Sequence, residues 1–573
     1  MRRHFELKFN LARPALGVGD GLILLGLATL LYLGARLAFN APATIRGPDI
    51  SLAPIALPWY AFLSVGRMAV AYLLSLLFTL VYGYACARSR AAEKILSPVL
   101  DVLQSVPILS FLPVVLLSLT AVLPEEFAVE SSSVILIVTS QVWNMTFSFY
   151  QSLITIPIEM REAAAIFRLT PWLRFKTMEL PFAALGLIWN SMMSWAGGWF
   201  FLMAAETFTV GSRDFRLAGL GSYLQAAANA GDLRSVLLGL GVLVFVIVLM
   251  DQLVWRPILA WADKFKIAMV SGDESPESWV YDVISRSWLI EQMDRRFWHP
   301  FTERVDAVLG RVFTSVPPTE ETSDGRPSAM LVILSVLGVG MLVYGGARAA
   351  LLLATLPGDQ WVRIGLGAIA TLARVALSLV IAAAWTIPVG VLIGTRPRWA
   401  AVLQPIVQIV ASIPATALFP VILLAFIRLV GGLNLAAVLL MLMGTQWYIL
   451  FNVIAGASAI PQDLAYTTEL LQLKGWARWR TLILPSLFPY LITGMITAGG
   501  GAWNASIVAE YVHFGGELHS TLGIGALIAE ATASGNYALL LGASLTLILA
   551  VVAINRSFWR RLYKIAEDKY RME

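Results

Sequence analysis

The chain has 573 residues, of which 58% are hydrophobic and only 13% charged. A soluble chain of this size would carry about 25% charged residues, so a water-soluble fold is excluded. The net charge of +5 then reflects basic loops at a membrane surface rather than nucleic-acid binding. The single cysteine, Cys86, lies in an apolar run, which rules out an intramolecular disulfide and a cysteine-based metal site.

Apolar runs of membrane length predict about twelve helices. They lie near 17–37, 60–87, 97–123, 133–153, 182–205 and 235–256, then near 328–355, 364–394, 402–428, 432–456, 486–511 and 537–556. Lys and Arg gather before the first run and after the second, fourth and sixth, for example Arg88, Arg90 and Lys94, then Arg161, Arg168, Arg174 and Lys176. Basic loops stay inside, so the even-numbered gaps and both termini are expected in the cytoplasm. A basic start and Ala41-Pro42-Ala43 also fit a signal peptide. However, Tyr32-Leu33-Gly34-Ala35-Arg36 reappears as Tyr344-Gly345-Gly346-Ala347-Arg348 inside the chain, which favours a retained first helix.

The chain is an internal duplication. Arg67, Pro98, Pro107 and Pro113 match Arg374, Pro405, Pro414 and Pro420, each 307 residues later. Pro157, Pro181, Trp199, Glu206, Gly219 and Gly221 match Pro461, Pro485, Trp503, Glu510, Gly523 and Gly525, each 304 later. Six spans per half give both halves one orientation, hence a pseudo-two-fold axis along the membrane normal and a route between the halves. The expected units are 1–257, with an elbow at 4–13; a cytoplasmic linker at 258–327; and 328–573. Segment 278–313 mixes Trp279, Trp288, Phe297 and Trp298 with Arg286, Arg295 and Arg296. That composition suits a helix at the membrane interface or against a partner, with the interface favoured. Residues 314–327 read as flexible linker.

One polar segment occurs twice between spans four and five, at 157–181 and 461–485. Pro157 suits a first helical turn, Glu159 and Glu162 sit near its positive end, and Arg168 sits late. Thr170-Pro171 restarts a helix, while Lys474-Gly475 supplies the stop in the second copy. The prediction is a short helix at the cytoplasmic mouth of each half.

The first copy carries Glu162-Ala163-Ala164 with Pro181 of a Leu-Pro pair nineteen residues after the Glu. It resembles the EAA loop of ABC-importer permeases. Ser105-Val106-Pro107 to Leu112-Pro113, Ser412-Ile413-Pro414 to Phe419-Pro420, and Glu206 and Glu510 with their Gly-x-Gly sequences resemble the nitrate/sulfonate/taurine/bicarbonate group of type I importers. The resemblance covers roughly 60–256 and 363–556. It implies an all-α polytopic membrane protein of two fused six-helix permease domains in a bacterial inner membrane. It also implies coupling helices on two cytoplasmic ATPases, with a homodimer preferred over two different ATPases, and an external or periplasmic substrate-binding protein. The cargo it implies is a small anion such as nitrate, sulfonate, taurine or bicarbonate.

Carried onto this chain, the coupling residues are Glu162, Ala163, Ala164, Arg168, Leu169, Trp172 and Arg174, with Tyr466, Glu469, Leu473, Trp476 and Arg478 in the second copy. Two departures stand out. The family's glycine is Arg168 and Gln472 here, and Glu-Ala-Ala becomes Tyr466-Thr467-Thr468.

Pathway or gate candidates are Gln141, Asn144, Trp199, Glu206, Gln446, Trp447, Asn504, Glu510, Arg67 and Arg374. Phe200 is placed opposite Asn504 by register, and intramembrane amides need partners. Near the outer interface, the two Glu read as solvated or hydrogen-bonded gate residues rather than proton relays. The two Arg read either as attracting an anion or as anchoring to lipid phosphate. No Walker-type Gly-Lys-Ser/Thr sequence occurs, so ATP and Mg belong on a partner, and no metal, cofactor or nucleophile constellation is present. The alternative, a self-powered secondary transporter of two six-helix repeats, would need membrane acids or His for ion coupling, and the spans hold few.

At matched membrane expression, Glu162→Arg is expected to impair ATPase association more than Tyr466→Arg, measured by co-purification. Equal losses would remove the inferred inequality of the two loops.

Overall fold

The computed structural model describes residues 18–570 except 39–40, 43–44, 89, 105, 211–212, 263, 265–277, 313–328, 427–428, 430, 461 and 515–516. The predicted elbow at 4–13, the linker at 314–327 and Pro461 therefore lie outside the described residues. The first half begins with α1 (Val18–Ala38), α2 (Leu57–Arg88), α3 (Arg90–Leu103), α4 (Leu112–Thr120) and α5 (Glu125–Ile154). A short α6 (Ile158–Ile166) follows. Then α7 (Pro171–Arg174) runs through a π turn into α8 (Leu180–Glu206). A hairpin of β1 (Thr209–Val210) and β2 (Arg213–Asp214) leads to α9 (Leu220–Asn229). The half closes with α10 (Leu233–Met250), a second π turn and α11 (Arg256–Ala262).

Between the halves lie α12 (Trp279–Ser285), α13 (Trp288–Met293) and α14 (His299–Val312). The second half repeats the order with α15 (Ala329–Leu353), α16 (Gly358–Thr395), α17 (Pro397–Ser412), α18 (Ala415–Phe426), α19 (Gly432–Ser458) and α20 (Gln462–Leu470). It continues through α21 (Trp476–Arg478), α22 (Leu484–Ala509), the β3 (Tyr511–Phe514) and β4 (Glu517–Ser520) hairpin, α23 (Ile524–Ser534), α24 (Tyr537–Ile554) and α25 (Arg560–Tyr570). The chain is an all-α polytopic membrane protein. Seven helices among the described residues are long and apolar enough to cross a membrane.

The duplication extends to backbone detail. The π turns Phe175–Glu179 and Asp251–Trp255 recur as Trp479–Ile483 and Asn555–Trp559, each 304 residues later. A π turn accommodates one inserted residue inside a helix, so both halves keep the same insertions.

The third span of each half is broken, where the sequence reading had one continuous helix at 97–123 and at 402–428. In half one α3 ends at Leu103 and α4 starts at Leu112. In half two the break falls at Ile413-Pro414. Proline has no N–H to continue the ladder and its ring clashes with the preceding turn, so Pro107 and Pro414 open the helix where the halves meet.

The halves clasp each other at these breaks. The Leu109 N–H donates to Asn504 Oδ1 on α22 at 3.2 Å. At the repeat-equivalent place the Thr416 hydroxyl donates to the Phe200 carbonyl on α8 at 3.2 Å. The same two positions meet in both crossings, but with different atoms.

The symmetry fails at the first helices. α1 packs on α4, α15 and α24, and α15 packs on α1 and α24. The contact is close because it uses small residues, as is common between membrane helices. A Cβ added at Gly345 would stand 2.1 Å from Thr29 Cγ2, and one at Gly34 2.3 Å from Val114 Cγ1. The Thr29 hydroxyl also donates to the Leu342 carbonyl at 3.1 Å.

Overpacking a tight contact costs about 1–3 kcal/mol. Gly345→Leu should therefore lower the thermal aggregation midpoint in detergent by several degrees. Gly338→Leu should not, because a Cβ there meets nothing within 4 Å. Equal midpoints for the two variants would contradict the packing.

Candidate functional site

Two buried ion-pair networks organise the end of the bundle where α8 and α22 finish. Glu206 is fully buried. Its Oε1 accepts from the Ser64 hydroxyl at 2.6 Å and from Arg67 Nη1 at 2.9 Å, and its Oε2 accepts from the Gly221 N–H at 2.7 Å. Glu510, also fully buried, accepts from Thr371 at 2.7 Å, Arg374 Nη1 at 2.7 Å and the Gly525 N–H at 3.0 Å. Ser64 in turn accepts from the Leu220 N–H, and Thr371 from the Ile524 N–H. The Gly-x-Gly sequences follow from this geometry. A Cβ at Gly219 would lie 2.2 Å from Glu206 Oε1, and one at Gly523 2.0 Å from Glu510 Oε2.

These contacts bring four of the predicted residues together in pairs. Glu206 and Glu510 take the hydrogen-bonded rather than the solvated form of the reading, and Arg67 and Arg374 are each paired with one of these carboxylates. A charge in hydrocarbon persists when it is paired and hydrogen-bonded, and each Arg finds its Glu across the bundle. The outer partners differ between halves. Both arginines donate to an equivalent carbonyl, of Ala218 and Leu522, but Arg67 also makes a paired contact with Glu130, at 2.6 and 2.7 Å, whereas Arg374 binds Asn434 and Thr521.

At the opposite end, α6 and α20 sit between the long helices as matched short elements. Among the described residues, Arg168 (φ 49°) and Gln472 (φ 53°) are the non-glycine residues with positive φ. The conformation is the left-handed cap of a Schellman motif. Leu169 N–H donates to the Ala164 carbonyl and Arg168 N–H to Ala165, with Leu473 N–H on Thr468 in the second copy. A non-glycine residue there costs about 1–2 kcal/mol, so the backbone has kept the glycine's shape without the glycine. Ala164 and its counterpart Thr468 are buried beneath, and Ala163 is half-buried.

Each short helix ends in an exposed apolar pair that the sequence reading missed: Ile166 and Phe167 (79% and 76% exposed), and Leu470 and Leu471 (84% and 64%). The signal was present as adjacent apolar residues next to the stop, but only the tertiary structure leaves them uncovered. Glu162 is exposed, as is Tyr466. The side chain of Glu469 lies outside the described residues.

The next turn is where the copies diverge. Trp172 Nε1 donates to Asp306 Oδ1 at 2.8 Å, and Lys176 Nζ to Asp306 Oδ2 at 2.5 Å. The Lys176 hydrogen bond holds the Asp306 carboxyl below its ordinary pKa. The linker helix α14 is thus tied to α7. Trp476, the equivalent of Trp172, is 70% exposed. Arg174 pairs with Glu179 at 2.8 Å, whereas Ile483 takes the place of Glu179 in the second copy and Arg478 Nε is buried without a partner among the described residues. The aromatic linker residues Trp279, Trp288, Phe297 and Trp298 are all more than half exposed.

Between the halves lies a cavity of about 160 Å³ lined by α8, the α17–α18 break, α19 and α22. Of the predicted pathway residues, Trp447 and Asn504 line it, and Asn144 lines a second cavity of about 360 Å³ beside α5. The remaining predictions fall elsewhere. Trp199 is buried in the first half's own core. Gln446 accepts from Trp385 Nε1 at 3.2 Å, toward α16. Gln141 is fully buried, and its amide has no hydrogen-bond partner among the described residues. Phe200, Tyr448 and Phe451 also line the central cavity, and Phe200 is the repeat equivalent of Asn504. Among the described residues there is no cluster of three or more His, Cys, Asp or Glu able to hold a metal ion.

Residues 79–254 and 386–571 each match the family described as binding-protein-dependent transport system inner membrane component. The chain is 32% identical over 167 residues to the nitrate import permease protein NrtB of Leptolyngbya laminosa, covering 29% of this chain and 56% of that protein. It is 34% identical over 163 residues to the bicarbonate transport system permease protein CmpB of Synechocystis, covering 28% and 55%. Against the putative aliphatic sulfonates transport permease protein SsuC of Bacillus subtilis the identity is 26% over 158 residues, covering 28% and 54%. The chain spans a little over half the length of these relatives.

Removing one partner of a buried ion pair strands the other and costs about 3–5 kcal/mol. Arg374→Met should therefore lower stability strongly, and Arg374→Met with Glu510→Leu should lose less than the two single losses added together. A double-mutant cycle by thermal unfolding in detergent measures this coupling, and additive losses would show that the pair does not act as a unit.

Proposed function

This chain belongs to the family of binding-protein-dependent transport system inner membrane components, and on that footing we propose that it is the permease subunit of an ABC importer, carrying two fused permease domains. The domains are 1–257 and 328–573, joined by the linker at 258–327, and the solute passes between them. α6 and α20 are the coupling helices, each seated in a groove of one of two cytoplasmic ATPase subunits, which bind the ATP and Mg. A homodimer serves both sites. A substrate-binding protein docks at the other end, beside α9 and α23, and both termini face the cytoplasm. The subunit is itself not an enzyme. Nitrate, bicarbonate and aliphatic sulfonates, named for the relatives, define the cargo class as small anions.

One observation carries this reading: two repeat-related short helices each present an uncovered apolar pair, Ile166-Phe167 and Leu470-Leu471, at the same end of the bundle. Exposed large apolar side chains next to basic residues, outside the membrane-length helices, need a protein partner. Two copies of one knob suit two copies of one socket. Closing the two ATPases on ATP would draw the helices together, and the broken spans at Pro107 and Pro414 are where the halves can shift.

A self-powered transporter draws no support from the deep acids. Glu206 and Glu510 are each held by an arginine, a hydroxyl and a backbone N–H, which leaves neither free to carry a proton.

Affinity purification of the chain from native membranes should bring down two ATPase chains per permease, with vanadate-sensitive uptake. Phe167→Asp together with Leu471→Asp should reduce the recovered ATPase by at least about tenfold, since each buried apolar anchor contributes about 1.5–3 kcal/mol. Uptake that resists vanadate and follows the proton gradient, with no ATPase recovered, would refute the proposal.

A further inference from the structure

A group of arginines gathers round one cavity at the end of the bundle that carries α6, apart from the exposed Ile166-Phe167 pair. The cavity, of about 260 Å³, is lined by Tyr84 and Arg88 from the end of α2, by the end of α5, by Arg161 of α6, Arg174 of α7 and Glu179 of the π turn. The short helix thus shares this space with the elements before and after it.

Some of the donors are already used. Arg161 Nη2 donates to the Leu153 and Ile154 carbonyls, at 3.2 and 3.0 Å, and Arg174 Nε donates to Glu179 Oε1 at 2.8 Å. A guanidinium carries five N–H donors, so these bonds leave donors on both side chains. Glu179 is the acid of the lining. Its Oε1 is engaged by Arg174, and its Oε2 is buried without a hydrogen-bond partner among the described residues. Three arginines therefore share one cavity with one carboxylate, and like charges so gathered repel unless an anion joins them.

The duplication supplies an internal comparison. Arg88, Arg161 and Glu179 correspond to Thr395, Ala465 and Ile483, and of the four charged positions only Arg174 is kept, as Arg478. Membrane orientation asks for basic residues in loops. It does not ask for three arginines round one cavity in one half.

We propose that this cavity is a binding site for an oxyanion of phosphate type, held by Arg88, Arg161 and Arg174 through charge-assisted hydrogen bonds. The space admits such an ion together with several waters, each of which takes about 30 Å³. Phosphate chemistry has two sources, a free ion and the headgroup of an anionic phospholipid, and a basic pocket between membrane helices suits both. The bound anion ties α2, α6 and α7 together in half one and leaves half two without an equivalent. The site goes beyond the importer reading and does not depend on it.

The test uses the full chain, purified in detergent and stripped of lipid, at constant ionic strength. Amide hydrogen exchange is followed with inorganic phosphate against chloride, and with phosphatidylglycerol against phosphatidylcholine. Slower exchange in 158–174, with 462–478 unchanged, is expected. Protection by inorganic phosphate assigns the free ion; protection by phosphatidylglycerol but not by inorganic phosphate assigns the headgroup. Arg88→Gln combined with Arg161→Gln should raise the ligand concentration for half-maximal protection at least about tenfold. Arg88→Gln alone, which leaves the Arg161 bonds to α5 in place, should raise it in the same direction. Arg396→Gln with Arg398→Gln, which removes two exposed arginines outside the cavity, should not. Protection by neither ligand overturns the assignment. So does equal protection of both segments, or a ligand dependence that the Arg88 variants leave unchanged.

Discussion

The carboxylate of Glu206, and its duplicate Glu510, is the constraint on which the end of the bundle where α8 and α22 finish depends. An acid buried in an apolar bundle needs every lone pair engaged. Here the partners come from two elements other than the helix that carries the acid: a hydroxyl and an arginine from the second membrane-length helix of each half, and a backbone N–H from the start of the short helix after the hairpin. Satisfying one side chain therefore fixes three elements at once. The Gly-x-Gly sequences follow, because the backbone at Gly219 and Gly523 must approach the carboxylate more closely than a Cβ permits. The network holds α8 and α22 at that end, and one face of each of these helices lines the central cavity.

From that shared frame the halves diverge where function touches them. The crossing contacts at the broken spans keep their positions but exchange side-chain and backbone roles between Leu109/Asn504 and Thr416/Phe200. A homodimer must present the same surface twice. Fusion into one chain releases that restriction, and equivalent positions here carry different side chains, such as Asn144 and Tyr448 or Phe200 and Asn504.

The ends that face the proposed ATPases are also unequal, for a reason the repeat alone does not contain. The linker exists once. Its α14 carries Asp306 onto Trp172 and Lys176, so the first short helix is flanked by an ordered neighbour while Trp476 in the second is left open. The loss of Glu-Ala-Ala at Tyr466-Thr467-Thr468 falls on the open side. Thr468 takes the buried place of Ala164, and the short helix forms in both copies.

The sequence alone determined the membrane class, the duplication, the place of the two short helices and most span positions, because hydropathy periodicity and matched Pro, Gly and Trp are local signals. It offered Asn504 either as a pathway residue or as a helix-packing amide, and the structure shows its amide bonded to the Leu109 N–H and the Gly500 carbonyl. It did not determine what the ionised residues do. Arg67 and Glu206 are 139 positions apart, and nothing in their neighbours specifies that they pair. Read one span at a time, each looks like an interfacial charge. Nor did it place Trp199 and Gln446 away from the pathway, since the inward face of a helix apolar on all sides is chosen by its neighbours rather than by its own pattern. The left-handed caps at Arg168 and Gln472 were hidden for the same reason: the residues argue against positive φ, and only the surrounding hydrogen bonds and the buried Ala164 and Thr468 impose it. Local chemistry fixed which elements exist, and tertiary contact decided which side chains pair with one another and which line the cavities between helices.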